Sequence, residues 1–163
     1  MLDQALVTGA TQLLEELRLR GLKLVTAESC TGGLIAGYLT EVPGSSDVVE
    51  RGFVTYSNDA KTQMIGVPAH LITSHGAVSE RVARAMAEGA LSTSLADVSV
   101  AVTGVAGPGG GSSEKPVGLV HLAALRRGGQ TQHRECRFGD IGRGLIREKT
   151  ILEAFALVRA AIQ

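Results

Sequence analysis

The sequence predicts an α/β protein of three layers, α/β/α, with a mixed, mostly parallel sheet that ends in a hairpin. Short runs of aliphatic and β-branched residues, typical of strands, alternate with segments whose apolar residues recur at helical spacing. In the last third of the chain, two such runs are separated only by a glycine turn, which predicts an antiparallel pair. Strands separated by helices predict parallel pairing, with helices on both faces of the sheet.

The N-terminal segment predicts a helix, a strand and a second helix. The first helix ends at Gly21, because glycine commonly follows the last turn of a helix. Residues 22–26 predict the first strand, and the apolar segment 34–39 predicts the second helix. The breaker sequence 43–46, Pro-Gly-Ser-Ser, ends that helix. The apolar stripe of the first helix consists of Leu6, Ala10, Leu13, Leu14 and Leu17.

The middle of the chain predicts a second strand and two further helices. Residues 52–56 form the strand, and Ser57 or Asn58 can cap a short helix that starts near Asp59. The sequence Ser-Glu-Arg at 79–81 opens a longer helix, whose apolar positions are Val82, Met86 and Ala90.

The C-terminal part predicts three strands and a closing helix. Residues 97–103 alternate valine with small residues, which is typical of a buried strand. A glycine-dense turn at 104–113 leads to a strand at 117–125, and a glycine turn connects it to a strand at 131–138. The last helix spans 145–162.

Length and composition predict one domain over residues 1–163 and exclude several classes of partner. Domains most often have ~100–150 residues. Aromatic residues make up only 3% of the chain, so stacking of single-stranded nucleic acid on rings is not expected. Sixteen basic residues balance sixteen acidic ones, which speaks against binding of a phosphate backbone by bulk charge.

The same composition predicts a cytoplasmic protein without a membrane segment. No run approaches ~18 apolar residues, and the N-terminus lacks the pattern of a signal peptide. Two distant cysteines, Cys30 and Cys136, suit a reducing compartment better than a disulfide framework. We expect no membrane partner, while a homo-oligomer remains open.

The first candidate for chemistry is the sequence Ser29-Cys30-Thr31-Gly32-Gly33, which follows a predicted strand and precedes a helix. One interpretation is structural, with Ser29 or Thr31 as a helix N-cap. The other is a nucleophile at the carboxyl end of a strand, where N–H groups at a helix N-terminus can hold an oxyanion. Spacing alone does not decide between them.

The second candidate pairs Tyr56 with Lys61 at one rim of the sheet. A lysine in a short helix is by default a solvated surface charge. In the first turn of the helix, however, the positive end of the dipole disfavours the ammonium form, which would help Lys61 to act as a neutral base. Asp59 opposes this effect, so the sequence leaves open whether the pKa of Lys61 is raised or lowered.

The third candidate is the glycine-dense segment that follows the strand ending at Thr103. It matches neither the dinucleotide-binding fingerprint nor the P-loop. It is either a flexible connection or an anion site built from backbone N–H groups, with Gly104, Gly107 and Gly109 within it. The four histidines lack zinc-ligand spacing, so no metal is expected.

In chain order these segments resemble the C-terminal domain of the competence/damage-inducible protein CinA. The similar strings are AESCTGGLIAGYLTEVPGSSDVVERGFVTYSNDAKTQMIGV, HGAVSERVARAMAEGA, TGVAGPGGGSSEKPVGLVHLA and FGDIGRGLIREKT, and they cover most of residues 27–150. The resemblance implies an α/β/α domain that deamidates nicotinamide mononucleotide to nicotinate mononucleotide and ammonia, without a cofactor. Many members also carry an N-terminal molybdopterin-binding-like domain, whose counterpart is not expected here.

The resemblance also implies roles for individual residues. The family's catalytic serine, tyrosine and lysine correspond to Ser29, Tyr56 and Lys61, and the threonine of TGVAGP, which corresponds to Thr103, is expected in the substrate site. The tail GDIGRGLIR is two residues longer than the family pattern. Arg143 and Arg147 are therefore both candidates for the family's arginine.

These inferences combine into one expected mechanism, acyl transfer to water. Ser29 attacks the carboxamide, Lys61 with Tyr56 removes its proton, and the N–H groups of Cys30, Thr31 and Gly32 stabilise the oxyanion. The nucleotide phosphate lies on the glycine segment 104–111, together with an arginine. Two alternatives stay open, namely a non-catalytic nucleotide-binding or regulatory module and an amidase of another small amide.

Overall fold

The computed structural model describes residues 2–163, in which five strands form one sheet with helices on both faces. The strands are β1 (Leu24–Glu28), β2 (Val49–Val54), β3 (Val98–Gly104), β4 (Leu119–Arg126) and β5 (Gln132–Arg137). The helices are α1 (Gln4–Leu19), α2 (Leu34–Thr40), α3 (Asn58–Ile65), α4 (Ala69–His75), α5 (Glu80–Ser92) and α6 (Arg143–Ala161). A single 3-10 turn, Ser45–Asp47, leads into β2.

The strand order is β2-β1-β3-β4-β5, and both kinds of pairing occur. Strand β1 runs parallel to β2 and to β3, whereas β4 runs antiparallel to β3 and to β5. Four of the five strands therefore point in the same direction, with β4 reversed. The three-layer α/β/α fold with a mixed sheet that ends in a hairpin, as predicted from the sequence, is confirmed.

The central strands are buried on both faces, which explains their nearly continuous apolar sequences. Alternate residues face opposite layers: Val100 and Val102 of β3 pack with α1, α2 and α6, whereas Ala101 packs with α3, α4 and α5. The edge strands β2 and β5 contain only half-buried and exposed residues, as edge positions allow.

Several predicted boundaries differ from the structure, and one helix was not predicted. The first strand spans Leu24–Glu28 rather than 22–26. The second strand spans Val49–Val54 rather than 52–56, so that Tyr56 lies beyond it in the turn before α3. Helix α4 was not predicted, because it has only seven residues and buries only Ile72. Strand β4 begins at Leu119 rather than 117, since Gly118 has a left-handed φ of 93° and its N–H donates to Val105.

The carboxyl ends of β1, β2 and β3 meet at one edge of the sheet, because the three strands are parallel. The Thr55 N–H donates to the Glu28 carbonyl at 2.8 Å, and the Ser29 N–H donates to the Val102 carbonyl at 3.1 Å. The loops that follow these strands are thereby held side by side.

Within residues 2–163, none of the helices combines the length and the apolar character that crossing a membrane requires.

Two histidines on neighbouring strands form a buried pair away from this edge. His121 Nδ1 lies 2.9 Å from His133 Nε2, and the rings stack with centroids 5.2 Å apart. His133 Nδ1 faces a Glu80 oxygen at 3.0 Å, and His121 Nε2 faces a Glu135 oxygen at 3.7 Å. Burial is the largest influence and lowers the pKa of both imidazoles below 6.5, although the two carboxylates act in the opposite direction.

We predict that this pair makes folding sensitive to mild acid. The unfolded chain takes up protons near pH ~6.5, above the lowered pKa of the folded pair, so the pair's contribution is complete above ~6.5 and is lost as the pH falls through the folded pKa. The urea midpoint should therefore drop more between about pH 7.5 and about pH 5.5 in the wild type than in the double variant His121→Asn/His133→Gln. Equal drops in both proteins would contradict the prediction.

Candidate functional site

A cavity of about 290 Å³ opens at the carboxyl edge of the sheet. Its lining comes from the loops after β1 and β3, the start of α3, the segment before α5 and the first residue of α6. The lining includes Ser29, Cys30, Tyr56, Asn58, Lys61, Ala77, Val78, Thr103, Gly104, Gly107, Gly109 and Arg143. A larger groove of about 750 Å³ adjoins it across Gly109 and Gly110, but neither the serine nor the lysine lines that groove.

Lys61 is buried to 1% exposure, which contradicts the default expectation of a solvated lysine. Its Nζ lies 3.0 Å from Ser29 Oγ, 2.8 Å from the Thr55 carbonyl and 3.3 Å from the Tyr56 carbonyl. Burial lowers the pKa of this amine below its ordinary 10.5. The sequence left open whether the pKa of Lys61 is lowered. In the structure it is lowered, and the cause is burial rather than the helix dipole.

The three contacts of Lys61 can be made by the ammonium, with three donors, and also by the neutral amine. An uncharged amine has two N–H bonds and one lone pair. If the Thr55 and Tyr56 carbonyls accept the two N–H groups, the lone pair faces Ser29 and can accept its hydroxyl proton. A buried amine with a lowered pKa next to a hydroxyl is the usual arrangement of a base and its nucleophile.

Helix α3 presents Lys61 to the cavity, and a cap fixes where this helix begins. Ser57 is the N-cap, and its hydroxyl accepts from the Ala60 N–H at 3.0 Å, as the sequence predicts for Ser57 or Asn58. Lys61 follows in the next turn, and its amine contacts Ser29 in the loop after β1. Asp59 is exposed.

Glu28, which the sequence analysis did not select, holds the turn after β1. Its carboxylate accepts from Thr31 Oγ1 at 2.7 Å and from the N–H groups of Ile35 and Ala36 at 2.8 and 3.0 Å. Neither Ser29 nor Thr31 caps α2, whose N-cap position is Gly33 with a φ of 98°. The signal for this role was the presence of a charged residue, glutamate, at the end of a strand that is buried along its whole length.

Cys30 lies beside Ser29 and is buried to 6% exposure. Burial raises the pKa of its thiol to about 11, so the thiol is protonated at neutral pH and is a poor nucleophile. The backbone N–H groups of Cys30 and Thr31 donate to no backbone carbonyl among residues 2–163. Of these two residues, Cys30 lines the cavity, and its own thiol lies against its N–H.

Tyr56 and Arg143 meet at the mouth of the cavity. Arg143 Nη2 donates to the Tyr56 hydroxyl oxygen at 3.1 Å, and Arg143 Nη1 donates to the Gly107 carbonyl at 2.9 Å. Tyr56 is 59% exposed. The predicted proximity of Tyr56 to the rim is thus observed, and the arginine ties it to the glycine segment.

The remaining predicted residues divide into two groups. Thr103, Gly104, Gly107 and Gly109 line the cavity, with Thr103 Oγ1 donating to the Ala77 carbonyl at 2.9 Å. Thr31, Gly32 and Arg147 do not line it, since Arg147 Nη2 donates to the Thr31 carbonyl at 3.0 Å behind the serine loop.

Six lining residues were not predicted individually, namely Asn58, Ala77, Val78, Val105, Ala106 and Gly110. Asn58 was considered only as a helix cap, and the apolar residues carry no chemical signal in the sequence. Among residues 2–163, no three His, Cys, Asp or Glu side chains come together as a set that could hold a metal ion.

Comparison with known proteins identifies the family of this chain. The sequence model of the CinA C-terminal domain matches residues 7–162. The chain belongs to the CinA C-terminal domain family. Its fold matches the crystal structure of the competence/damage inducible protein CihA from Agrobacterium tumefaciens with a TM-score of 0.97 and 53% identity, over 100% of this chain and 99% of that one.

Curated relatives of this CinA C-terminal domain differ in length. The nicotinamide-nucleotide amidohydrolase PncC from Escherichia coli K12 is 52% identical over 141 residues, 86% of each protein. A CinA-like protein from Akkermansia muciniphila is 63% identical over 111 residues, which are 68% of this chain and 27% of that protein. A relative from Symbiobacterium thermophilum is matched over 38% of its length. The chain therefore spans well under half of several curated relatives.

The site geometry predicts that Ser29, and not Cys30, is the reactive side chain. A fluorophosphonate probe should form an Oγ–P bond at Ser29 while the P–F bond breaks and fluoride leaves. Mass spectrometry should find the adduct on Ser29 in the wild type and in Cys30→Ala, and no adduct in Ser29→Ala. An adduct on Cys30 would contradict the assignment.

Proposed function

We propose that this chain, as one CinA C-terminal domain, deamidates nicotinamide mononucleotide to nicotinate mononucleotide and ammonia. The observation that carries the proposal is the buried Lys61 amine, 3.0 Å from Ser29 Oγ, inside a cavity large enough for a small ligand. The name of the E. coli relative, nicotinamide-nucleotide amidohydrolase, supports the choice of substrate. The reaction needs no cofactor.

In the proposed reaction Ser29 is the nucleophile and Lys61 is the base. The Ser29 hydroxyl proton passes to Lys61 Nζ as Oγ bonds to the carboxamide carbon, and the Cys30 N–H stabilises the oxyanion. The Lys61 ammonium then returns the proton to the leaving nitrogen, the C–N bond breaks and ammonia departs. Water, activated by the same amine, hydrolyses the resulting ester and restores Ser29.

Tyr56 is proposed to assist at the leaving group. Its hydroxyl oxygen accepts from Arg143, so its own hydrogen remains free to donate. Because the side chain lines the cavity opposite the buried amine, it can hydrogen-bond to the amide nitrogen as that nitrogen gains a proton. This role complements Lys61, which is hydrogen-bonded to Ser29.

The nucleotide phosphate is proposed to bind between Arg143 and the backbone of the glycine segment 104–110. Arg143 donates one N–H to Gly107 and one to Tyr56, which leaves three of its five N–H groups for an anion. Glycines lacking a Cβ let the phosphate approach the backbone N–H groups. Arg147 is proposed to support the serine loop through Thr31 instead.

A binding or regulatory module would not require a desolvated amine next to a hydroxyl. The presence of this pair therefore favours an enzymatic function over a non-catalytic one. An amidase of another small amide would use the same Ser29 and Lys61, and only the substrate would differ. Incubation of the purified chain with nicotinamide mononucleotide, followed by measurement of released ammonia, decides among the three. Ammonia release that disappears in Ser29→Ala supports the proposal, whereas binding without release supports the module.

The role of Lys61 as a base predicts a large loss in Lys61→Arg. A guanidinium keeps the positive charge but does not deprotonate, so kcat should fall by roughly a hundredfold or more, the scale of general-base removal. In the wild type, kcat/KM should rise with pH through the lowered pKa of Lys61 and then level off, because only the neutral amine accepts a proton. Near-normal turnover in Lys61→Arg would mean that the lysine supplies only charge.

The phosphate site predicts that the mononucleotide is a much better substrate than its riboside. A charge-assisted contact to a phosphate contributes ~1.5–3 kcal/mol, or about ten- to a hundredfold in affinity. Arg143→Ala should therefore raise KM for the mononucleotide and barely change KM for the riboside. Gly109→Val should also raise KM for the mononucleotide. A Cβ at Gly109 meets no protein atom within 4 Å, so the fold can accept the valine, and the added side chain obstructs only the phosphate.

Arg147→Ala is the matched control for this prediction, because Arg147 lies one helical turn from Arg143 but outside the cavity lining. It should not discriminate between the mononucleotide and the riboside. Equal efficiency of the wild type toward both substrates would rule out the phosphate site.

A further inference from the structure

Glu28 is a buried carboxylate immediately before the proposed nucleophile. It is 1% exposed, does not line the cavity, and forms no ion pair with a cationic side chain among residues 2–163. Its three hydrogen bonds, of 2.7, 2.8 and 3.0 Å, all go to the serine loop and the first turn of α2. Because burying a carboxylate is costly, these three contacts define its role in the fold.

The loop that Glu28 spans has little stiffness of its own. Gly32 and Gly33 both adopt left-handed φ values, of 60° and 98°, and glycine is the residue with the greatest backbone freedom. The Glu28 carboxylate joins the end of β1 to Thr31 within this loop and to Ile35 and Ala36 beyond it. The carboxylate thus fixes both ends of the turn that carries Ser29.

Glu28 also determines which N–H groups are free. The Ile35 and Ala36 N–H groups at the start of α2 are consumed by the carboxylate, so they cannot hold an oxyanion. Cys30, which lines the cavity, makes no hydrogen bond to this carboxylate. The carboxylate therefore holds the donors at the start of α2 and leaves the proposed oxyanion donor, the Cys30 N–H, unengaged by Glu28.

We propose that Glu28 is a positioning residue, whose carboxylate holds the turn after β1 so that Ser29 Oγ stays within hydrogen-bond distance of Lys61 Nζ. The inference rests on the proposed function, in which Ser29 attacks the substrate. Glu28 acts through geometry: it touches neither the substrate cavity nor Lys61 Nζ, whose contacts are Ser29, Thr55 and Tyr56.

The variant Glu28→Gln tests the proposal. The amide has nearly the same shape, but its NH₂ replaces an acceptor and must face a donor, so one side of the bridge is lost. We expect kcat to fall about ten- to a hundredfold, the scale of a nucleophile displaced by about 1 Å, while KM changes less than about twofold. The pKa of the acidic limb of kcat/KM should remain close to that of the wild type, because Lys61 stays buried and keeps its contacts with the Thr55 and Tyr56 carbonyls.

Two further variants separate positioning from general stability. Ser99→Ala removes a buried hydrogen bond of 2.7 Å to the Ala87 carbonyl, on the same sheet but outside the cavity lining. It should lower the Tm and leave kcat per folded protein unchanged. If Glu28→Gln does not fold, Thr31→Val can replace it. This variant removes only the 2.7 Å hydrogen bond from Thr31 Oγ1 to the Glu28 carboxylate, and it should lower kcat by a smaller factor.

The rate of Ser29 labelling by the fluorophosphonate probe gives a readout that does not depend on the substrate. In Glu28→Gln this rate should fall by about the same factor as kcat. A wild type that labels at Ser29 but releases no ammonia would refute the proposed function and leave the positioning test intact. Labelling and kcat within about twofold of the wild type in Glu28→Gln, or a shifted acidic limb, would overturn the positioning role.

Discussion

The burial of the Lys61 amine against Ser29 is the interaction on which the rest of the site depends. An amine removed from water is costly when charged, so burial lowers the pKa of Lys61, the direction that the proposed role as a base requires. The arrangement needs the parallel strands β1 and β2 side by side, since β1 delivers Ser29 and the turn after β2 delivers the Thr55 and Tyr56 carbonyls. A change that parts these two strands would expose the amine to water and remove the cause of its lowered pKa.

The proposed phosphate site has to work without an excess of positive charge. The chain has equal numbers of acidic and basic residues, so any attraction to a phosphate has to be local. In the proposal, backbone N–H groups of the glycine segment and the guanidinium of Arg143 supply this attraction at the cavity mouth. The buried Glu28 carboxylate is likewise stabilised locally, by hydroxyl and N–H donors rather than by a cation.

Membership of the CinA C-terminal domain family places this chain among proteins of different length. It matches 86% of the E. coli amidohydrolase but only 38% of the relative from Symbiobacterium thermophilum. The residues that build the cavity all lie within the matched range 7–162, so the geometry described above is contained in the shared domain.

The sequence by itself determined the α/β/α fold, because alternating strand and helix patterns are local and read directly from spacing. It also pointed to Ser29, Tyr56 and Lys61, because the long ordered strings that contain them resemble the CinA C-terminal domain family. It could not decide whether Lys61 is buried, which arginine reaches the cavity, or that Glu28 braces the serine loop. Those outcomes depend on contacts between distant segments, such as Arg143 with Tyr56, 87 residues apart. Arg143 and Arg147 occupy successive turns of one helix, and only the packing of α6 against the sheet determines which turn lies at the cavity mouth.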